Sequence, residues 1–491
     1  MAAGSALGGP LGGEQQHWLA LGCSLLRGLL IAVVALPIAH AVQRQWCRRG
    51  GIAWGLLLLP MLTPGLLIGY CYRDTAMAWI ASPWRTEMLY DLLLLAQLVP
   101  VAVVLLQLSP RPAVSPAAAH CAELLRVHER SSRLKRLWWG RVWFHARGER
   151  DVIIAAIVFL LAFQEAEVAS LLQARTWTEW IFTNQARGLP VLNTLEYASR
   201  AMLLQLPVII PVAHWIARAS RSGNLRSRSE FVTGSAASIS RTGVGLWLLI
   251  AALLVTAIPT VQLIRGAGTG WSNLLDQPAL GEELGDAALL ATTVALLTTL
   301  LCRLLLRVSR LTSWGICVAL LPGLLGALSL GITLAAIFQT DRLAFAYDTP
   351  VPLILGEVLF LLPRALLVFG LWGAGRESAV QHLAETLSVS PVPQQRARGQ
   401  ELSWVLRAQI WWWGGWLIFF WTYFELMLPS LLAQPGFNPV SLVLYNFLHY
   451  GRINALAAKL LCALLLPLGA MLVLTSLRRW RPHRWRLLRE E

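Results

Sequence analysis

The sequence predicts an all-α protein that crosses a lipid bilayer about eleven times. Three observations support this fold class: 56% of the 491 residues are hydrophobic, only 14% are charged, and the mean hydropathy is +0.58. A soluble chain of this size has no use for so much apolar surface, whereas each membrane crossing needs roughly 20 apolar residues. We therefore expect a polytopic membrane protein whose main partner is the lipid bilayer.

The predicted spans are long apolar stretches separated by polar connections. They cover residues 17–43, 52–72, 86–109, 151–172, 194–217, 243–265, 286–306, 313–338, 350–372, 408–432 and 453–476. The first stretch is too long for the core of a cleaved signal peptide. We therefore expect it to remain as the first span.

Arginine is concentrated in every second connection between these spans. The arginine-rich segments are 44–49, 111–150, 218–241, 307–310, 376–407 and the tail 478–489. The positive-inside rule puts such segments in the cytoplasm, so we expect a plasma (inner) membrane protein with its amino terminus outside and its carboxyl terminus inside. Topology thus accounts for the net charge of +15, and we expect no nucleic-acid partner.

Sequence motifs typical of enzymes and metal sites are lacking. The seven cysteines form no CxxC pair, the nine histidines form no HxxxH motif, and no GxxxxGK[ST] phosphate loop occurs. A polytopic enzyme would be expected to gather His, Asp or Glu at one membrane face, and we see no such cluster. We therefore expect no cofactor, no metal and no enzymatic activity in this chain.

The chain matches itself at a shift of about 262 residues. LLLLPMLTPGLLIG (56–69) falls on VALLPGLLGALSLG (318–331), and FQEAEVASLL (163–172) falls on YFELMLPSLL (423–432). Two more matches keep the same order and a similar shift, at 87–106 on 350–369 and at 120–127 on 382–389. Matches in constant order are the mark of a duplicated transporter half.

This duplication predicts the domain organisation. A first half, 1–217, contains five spans, a basic linker covers 218–242, and a second half, 243–477, contains six spans before the basic tail 478–491. An even number of crossings separates equivalent spans, so the repeats run in parallel.

Each predicted half carries its longest polar loop at the same point, residues 110–150 and 373–407. Each loop contains a helix-compatible piece, SPAAAHCAELLRVHERSSRL (115–134) and ESAVQHLAETLSVSP (377–391). The second piece repeats apolar residues at helical spacing. Two interpretations stay open: a solvated loop lying on the membrane surface, or a short helix that docks in the groove of a cytoplasmic partner.

HLAETLSVSP resembles the coupling helix E-A-A-x-x-x-G of the permeases of binding-protein-dependent ABC importers. Segment 401–461, with Glu425 and PSLL at 429–432, is similar to the last core segment of the same family. The closest resemblance is to tandem-fused permeases of the ferric-iron and thiamine type. It implies the type I importer permease fold, two copies of a cytoplasmic ATP-binding-cassette ATPase and an extracytoplasmic solute-binding protein.

The resemblance assigns ATPase-coupling roles residue by residue. These residues are Ala122, Glu123 and Leu125 in the first loop and Ala384, Glu385, Leu387, Ser388 and Pro391 in the second. The glycine of the family motif is replaced by Arg126 and Ser388. A degenerate permease-like protein without a motor therefore stays as an alternative.

Glu165 and Glu425 occupy matching positions inside spans, where an ionisable group costs about 3 kcal/mol on insertion scales. One interpretation places them at a gate on the translocation path, and the other gives them interhelical hydrogen bonds that fix packing. Iron(III) is the first choice of cargo from the resemblance, and sulfate, thiamine and polyamines are the others. A secondary transporter is the competing function, although the sequence displays no strong intramembrane charge relay.

Overall fold

The computed structural model describes residues 10–45, 51–79, 81–109, 149–221, 241–275, 279–307, 313–371, 378–404, 406, 409–449 and 453–487. Regular structure in these ranges is entirely helical, which confirms the predicted all-α class. The first coupling loop, with Ala122, Glu123 and Leu125, lies outside the described residues.

Among the described residues, eight helices precede the basic linker. They are α1 (Pro10–Gln45), α2 (Gly51–Leu62), α3 (Gly65–Ala78), α4 (Pro83–Leu108), α5 (Glu149–Phe163), α6 (Glu167–Leu172), α7 (Trp177–Ala186) and α8 (Val191–Arg221).

Thirteen helices follow the linker within the described ranges. They are α9 (Arg241–Ala252), α10 (Ile258–Leu275), α11 (Leu280–Arg307), α12 (Ser313–Leu324), α13 (Ala327–Phe338), α14 (Ala344–Tyr347), α15 (Val351–Leu366), α16 (Ser378–Ser388), α17 (Pro393–Ser403), α18 (Gln409–Phe424), α19 (Met427–Leu432), α20 (Val440–His449) and α21 (Ile453–Leu487). A π-helical turn, Leu253–Ala257, joins α9 to α10, and another, Leu367–Leu371, extends α15.

Seven helices of the described chain are long and apolar enough to cross a membrane, or nine if each of two bent pairs forms one span. The predicted spans 151–172 and 408–432 are not continuous helices, because each is interrupted between α5 and α6 or between α18 and α19. The count of about eleven therefore stays a prediction, and the described residues provide seven to nine candidate membrane-spanning helices.

The two bent pairs have their breaks at local sequence features. Helices α2 and α3 meet at 70°, and α12 and α13 meet at 94°. Pro64 has an extended backbone before α3, and proline cannot donate the backbone hydrogen bond that would continue the helix. Gly326 precedes α13 with φ of +91°, a conformation that side chains with a Cβ rarely adopt.

A close helix contact occurs twice in the structure. A Cβ added to Gly69 of α3 would lie 2.4 Å from a Leu171 methyl group on α6, and one added to Gly331 of α13 would lie 2.6 Å from a Leu431 methyl group on α19. Each glycine therefore lets the second part of a bent pair press against a short interrupted helix. These contacts bring the four helix breaks towards one another.

The α9–α10 helix lies between elements from both sides of the linker. A Cβ added to Gly266 of α10 would lie 2.1 Å from the Tyr70 hydroxyl oxygen on α3 and 3.0 Å from the Ala457 Cβ on α21. The hydroxyl groups of Thr63 and Thr256 are hydrogen-bonded at 2.8 Å. This helix therefore fills the space between α3 and α21.

Candidate functional site

Glu165 lies in the break between α5 and α6 and caps the second helix. Its carboxylate accepts hydrogen bonds from the backbone N–H groups of Val168, at 2.6 Å, and Ala169, at 3.0 Å. The Tyr90 hydroxyl donates a third hydrogen bond at 2.6 Å. The positive end of the helix and these donors stabilise the carboxylate.

Glu425 occupies the corresponding break between α18 and α19. It accepts a hydrogen bond from the backbone N–H of Met427 at 3.2 Å, and its own carbonyl accepts one from the Ser441 hydroxyl at 2.8 Å. The two glutamates singled out from the sequence therefore have the same local role as helix caps. Their assignment to a gate or translocation path stays a prediction.

Charged side chains on two other helices interact electrostatically with Glu425, and the sequence analysis did not connect them with it. Arg364 and Glu357, both on α15, interact electrostatically with Glu425. Glu167, at the start of α6, also interacts with Glu425. We call Glu167, Glu357, Glu425 and Arg364 the central charge cluster, because it joins helices from both sides of the linker.

Two carboxylates of the central charge cluster have oxygens without hydrogen-bond partners. Glu357 is completely buried, and neither of its oxygens has a partner. One oxygen of Glu167 accepts from the Leu66 backbone N–H, while Oε1 has no partner. The guanidinium of Arg364 lies 4.2 Å from the centre of the Phe360 ring, so an aromatic face supports the cation.

A second charge network lies beside Glu165. Arg27 of α1 donates a hydrogen bond to Asp91 at 2.6 Å and forms an ion pair with Glu87, both on α4. The guanidinium also lies 4.8 Å from the centre of the Tyr90 ring, whose hydroxyl reaches Glu165. In contrast to Glu357, Arg27 and its carboxylate partners satisfy one another, which is typical of a structural network.

Lys459 and Glu283 form a buried ion pair that the sequence analysis also missed. The Lys459 side chain is fully buried in α21, and its Nζ lies 2.5 Å from Oε2 of Glu283 on α11. The ammonium group is also 4.6 Å from the centre of the Phe447 ring on α20. Lys459 and Lys135 are the only lysines in an arginine-rich chain, a compositional signal that could have identified this position.

The second coupling-like loop forms a helical hairpin from α16 and α17. Gly399 of α17 lies against α16, where an added Cβ would be 2.3 Å from the backbone nitrogen of Ser388. Three apolar side chains of this hairpin are exposed: Leu383 at 52%, Val389 at 80% and Val392 at 45%. The hairpin lies outside the candidate spans, so these exposed apolar side chains do not belong to a candidate membrane-spanning helix.

The coupling residues predicted in the second loop differ in their exposure in the hairpin. Ala384 is buried at 2% exposure, so it packs within the hairpin and is not available to a partner. Glu385 and Pro391 are exposed, and Leu387 and Ser388 are partly buried. The ATPase-coupling role of all these residues stays a prediction.

No protein-family model, curated protein or solved structure matches this chain. Function therefore has to be inferred from the broken helices, the central charge cluster and the hairpin. Within the described ranges, no three His, Cys, Asp or Glu side chains are placed to hold a metal ion.

Proposed function

We propose that the chain is a membrane permease whose two related halves form one solute path, coupled through its cytoplasmic loops to separate ATPase subunits. The exposed apolar surface of the α16–α17 hairpin is the observation that carries this proposal. Leu383, Val389 and Val392 offer an apolar face on a polar loop, and such a face is typical of a helix that docks in a partner groove.

The duplicated geometry supports a path between two halves. The bent pair α2–α3 and the bent pair α12–α13 begin 262 residues apart, at Gly51 and Ser313. The interrupted pairs end at Leu172 and Leu432, which are 260 residues apart. Helices interrupted at matching places are typical of transporters, whose cargo sites lie where broken helices meet.

In this proposal, the five-span and six-span halves adopt the type I importer permease arrangement in a plasma (inner) membrane. The amino terminus lies outside, the carboxyl terminus lies in the cytoplasm, and an external solute-binding protein delivers the cargo. Two ATPase copies bind the loops at 110–150 and 373–407. Iron(III) is the cargo that the sequence resemblance favours.

Co-purification tests the proposed coupling. The full chain, extracted in mild detergent, is expected to retain a cytoplasmic ATPase, and Val389→Asp is expected to release it because a charge replaces an exposed apolar contact. Phe345→Asp is the matched control, since Phe345 is 81% exposed on α14, away from the hairpin. Recovery of no ATPase from the wild-type chain, under conditions that preserve a known importer, would refute the proposal.

A secondary transporter is the second candidate, and the central charge cluster favours it. The sequence analysis kept this class as the competing function, although the sequence displays no strong intramembrane charge relay; in the fold, Glu167, Glu357 and Arg364 each interact electrostatically with Glu425. Ionisable groups inside a membrane protein commonly mark ion or substrate pathways. Cargo uptake by the purified chain alone in liposomes, driven by an ion gradient, would support this candidate over the first.

A further inference from the structure

A groove of about 610 Å³ lies between α1 and α4, near the residues where α4 begins. Its volume is within the range of sites that hold small molecules, roughly 300–1,000 Å³. Both helices are candidate membrane spans, Gly13–Gln45 and Pro83–Leu108. Leu30 and Met88 line the groove and are exposed on the surface of the bundle. The groove therefore opens towards the bilayer.

The wall of the groove is apolar and runs along one half of the span. The apolar side chains that form it include Leu30 and Val34 of α1 and Met88, Leu92 and Leu95 of α4. On α4 the lining extends from Arg85 to Leu95, about 15 Å at 1.5 Å per residue. This length equals half of a hydrocarbon core about 30 Å thick. Because Leu95 is near the middle of Pro83–Leu108, the groove runs from the membrane interface to the bilayer centre.

The length of the groove distinguishes between the molecules that could occupy it. A helix of a second copy, or of another membrane protein, crosses both leaflets and needs about 20 apolar residues along the contact. The groove extends over one leaflet only, because its α4 lining ends at Leu95. An acyl chain of a lipid also occupies a single leaflet, so its length matches that of the groove.

Two indole rings and a guanidinium line the mouth of the groove. Trp79 directly follows α3, while Trp84 and Arg85 lie in the first turn of α4. The guanidinium carbon of Arg85 lies 5.5 Å from the centre of the Trp84 ring. Tryptophan and arginine at the end of a span lie at the level of the lipid headgroups. The mouth therefore meets the polar part of a lipid whose chain lies in the groove.

The charges along the groove favour an anionic headgroup at the mouth. Deeper in the groove, Arg27 donates to Asp91 at 2.6 Å and pairs with Glu87, so these charges offset one another. By contrast, none of the ion pairs within the described residues includes Arg85. Guanidinium groups bind phosphate oxygens with two parallel hydrogen bonds. Arg85 is therefore free to bind a phosphate group.

We propose that this α1–α4 groove binds one anionic phospholipid. An acyl chain lies along Leu30, Leu92 and Leu95, the phosphate binds Arg85, and Trp84 packs beside the headgroup. In the predicted topology, with the amino terminus outside, the lipid belongs to the outer leaflet. The site goes beyond the proposed transport function and does not depend on it, because its evidence is the groove and the charges of α1 and α4.

Native mass spectrometry of the full-length chain tests the proposal. The chain is delipidated in detergent and titrated with phosphatidylglycerol or phosphatidylcholine that carry the same acyl chains. The first phosphatidylglycerol is expected to bind about five-fold more tightly than phosphatidylcholine, the effect of one basic residue near a headgroup. Equal affinity for the two lipids would overturn the proposal. A dimer that forms instead of the lipid adduct would also overturn it, because the groove would then be a contact between two chains.

Arg85→Gln tests the headgroup contact. This variant is expected to bind phosphatidylglycerol as weakly as phosphatidylcholine, because the cation at the mouth is lost. Arg265→Gln is the matched control, since Arg265 is exposed on α10, lies near the predicted outer end of the span Thr242–Ser272 and does not line the groove. The control should keep the five-fold preference. A preference that survives in Arg85→Gln, or that is lost equally in Arg265→Gln, would contradict the assignment.

Leu92→Trp tests the acyl-chain contact, because an indole placed there occupies the space of the chain. Binding of both lipids is expected to weaken at least about ten-fold, since the ligand now meets a steric clash. Leu296→Trp on α11 is the control, because Leu296 is exposed and lies outside the groove. Unchanged lipid binding in Leu92→Trp would refute the site.

Two features of the design keep the result decisive. If Leu92→Trp fails to elute as a monodisperse peak, Arg85→Gln and the comparison of lipids on the wild-type chain decide the outcome, because Arg85 is exposed and its replacement leaves the packing intact. Lipid binding is measured without any ATPase or cargo. Failure of the proposed transport function therefore leaves the lipid site standing, and failure of the lipid site leaves the transport function standing.

Discussion

Breaking the ion pair between Lys459 and Glu283 by changing one partner should strongly destabilise the protein. Lys459 is fully buried, its Nζ is 2.5 Å from the Glu283 carboxylate, and the Phe447 ring is its other neighbour. Lys459→Met keeps the length of the side chain but removes the charge. The change leaves the Glu283 carboxylate buried and without its cation.

The expected magnitude follows from that unpaired charge. Removing one partner of a buried ion pair costs about 3–5 kcal/mol, mostly because the other charge stays desolvated. Glu283→Met should cost a similar amount for the same reason. Replacing both side chains with Met should cost much less than the sum, since an apolar pair of similar volume substitutes for a buried ion pair at little cost.

Unfolding in mixed micelles with an increasing fraction of SDS measures these differences in free energy. The four proteins of the double-mutant cycle are compared in the same detergent and at the same pH. The reasoning is refuted if Lys459→Met costs less than about 1 kcal/mol, or if the two single changes add up in the double variant.

Three further predictions concern close packing and a buried acid outside the spans. Gly323→Ala should destabilise the chain by about 1–3 kcal/mol in the same assay, because the added Cβ would lie 2.1 Å from the Leu359 carbonyl oxygen. Gly22→Ala is the control and should be neutral, because no atom lies within 4 Å of the Cβ that it adds. Gly399→Ala should push α17 away from α16, because the added Cβ has no room against α16. This variant should insert in the membrane normally, but less ATPase should co-purify with it. Co-purification of as much ATPase as with the wild type would contradict the docking role of the hairpin. Burial raises the pKa of Glu179 on α7 from 4.5 to about 7. Between pH 4.5 and about pH 7, the Glu179 carboxyl group therefore keeps its proton in the folded chain but has lost it in the unfolded chain. Stability should therefore fall as the pH rises through this window, and Glu179→Gln should remove that dependence.

The helical class could be predicted because it depends on composition and local patterning. Apolar stretches of about 20 residues have few alternatives to membrane helices, since lipid cannot satisfy backbone hydrogen bonds. The breaks at Pro64 and Gly326 were not predicted, since the predicted spans 52–72 and 313–338 run through them, although a proline and a glycine are local signals for such breaks. The interruptions at Glu165 and Glu425 were not predicted, because the surrounding residues remain apolar and the carboxylates cap new helices.

The contrast between Glu165 and Lys459 shows what repeat matching can find. Glu165 was singled out because Glu425 stands at the matching position, whereas a shift of 262 residues pairs Lys459 with Tyr197. A functional or structural pair present in only one half is therefore invisible to that comparison. Only the packing of α11 against α20 and α21 shows that Lys459 has Glu283 as its partner.

The sequence by itself determined that the chain is helical, that it carries enough apolar length for several membrane crossings, and that arginine is concentrated in alternate connections. These properties follow from residue composition and from periods of a few residues. Tertiary structure decided which charges interact, and it brings Glu167, Glu357 and Arg364 under the electrostatic influence of Glu425. It also decided that Leu383 is exposed while its neighbour Ala384 on the same helix is buried. Contacts between residues hundreds of positions apart depend on helix breaks and packing angles, and no local pattern in the sequence encodes them.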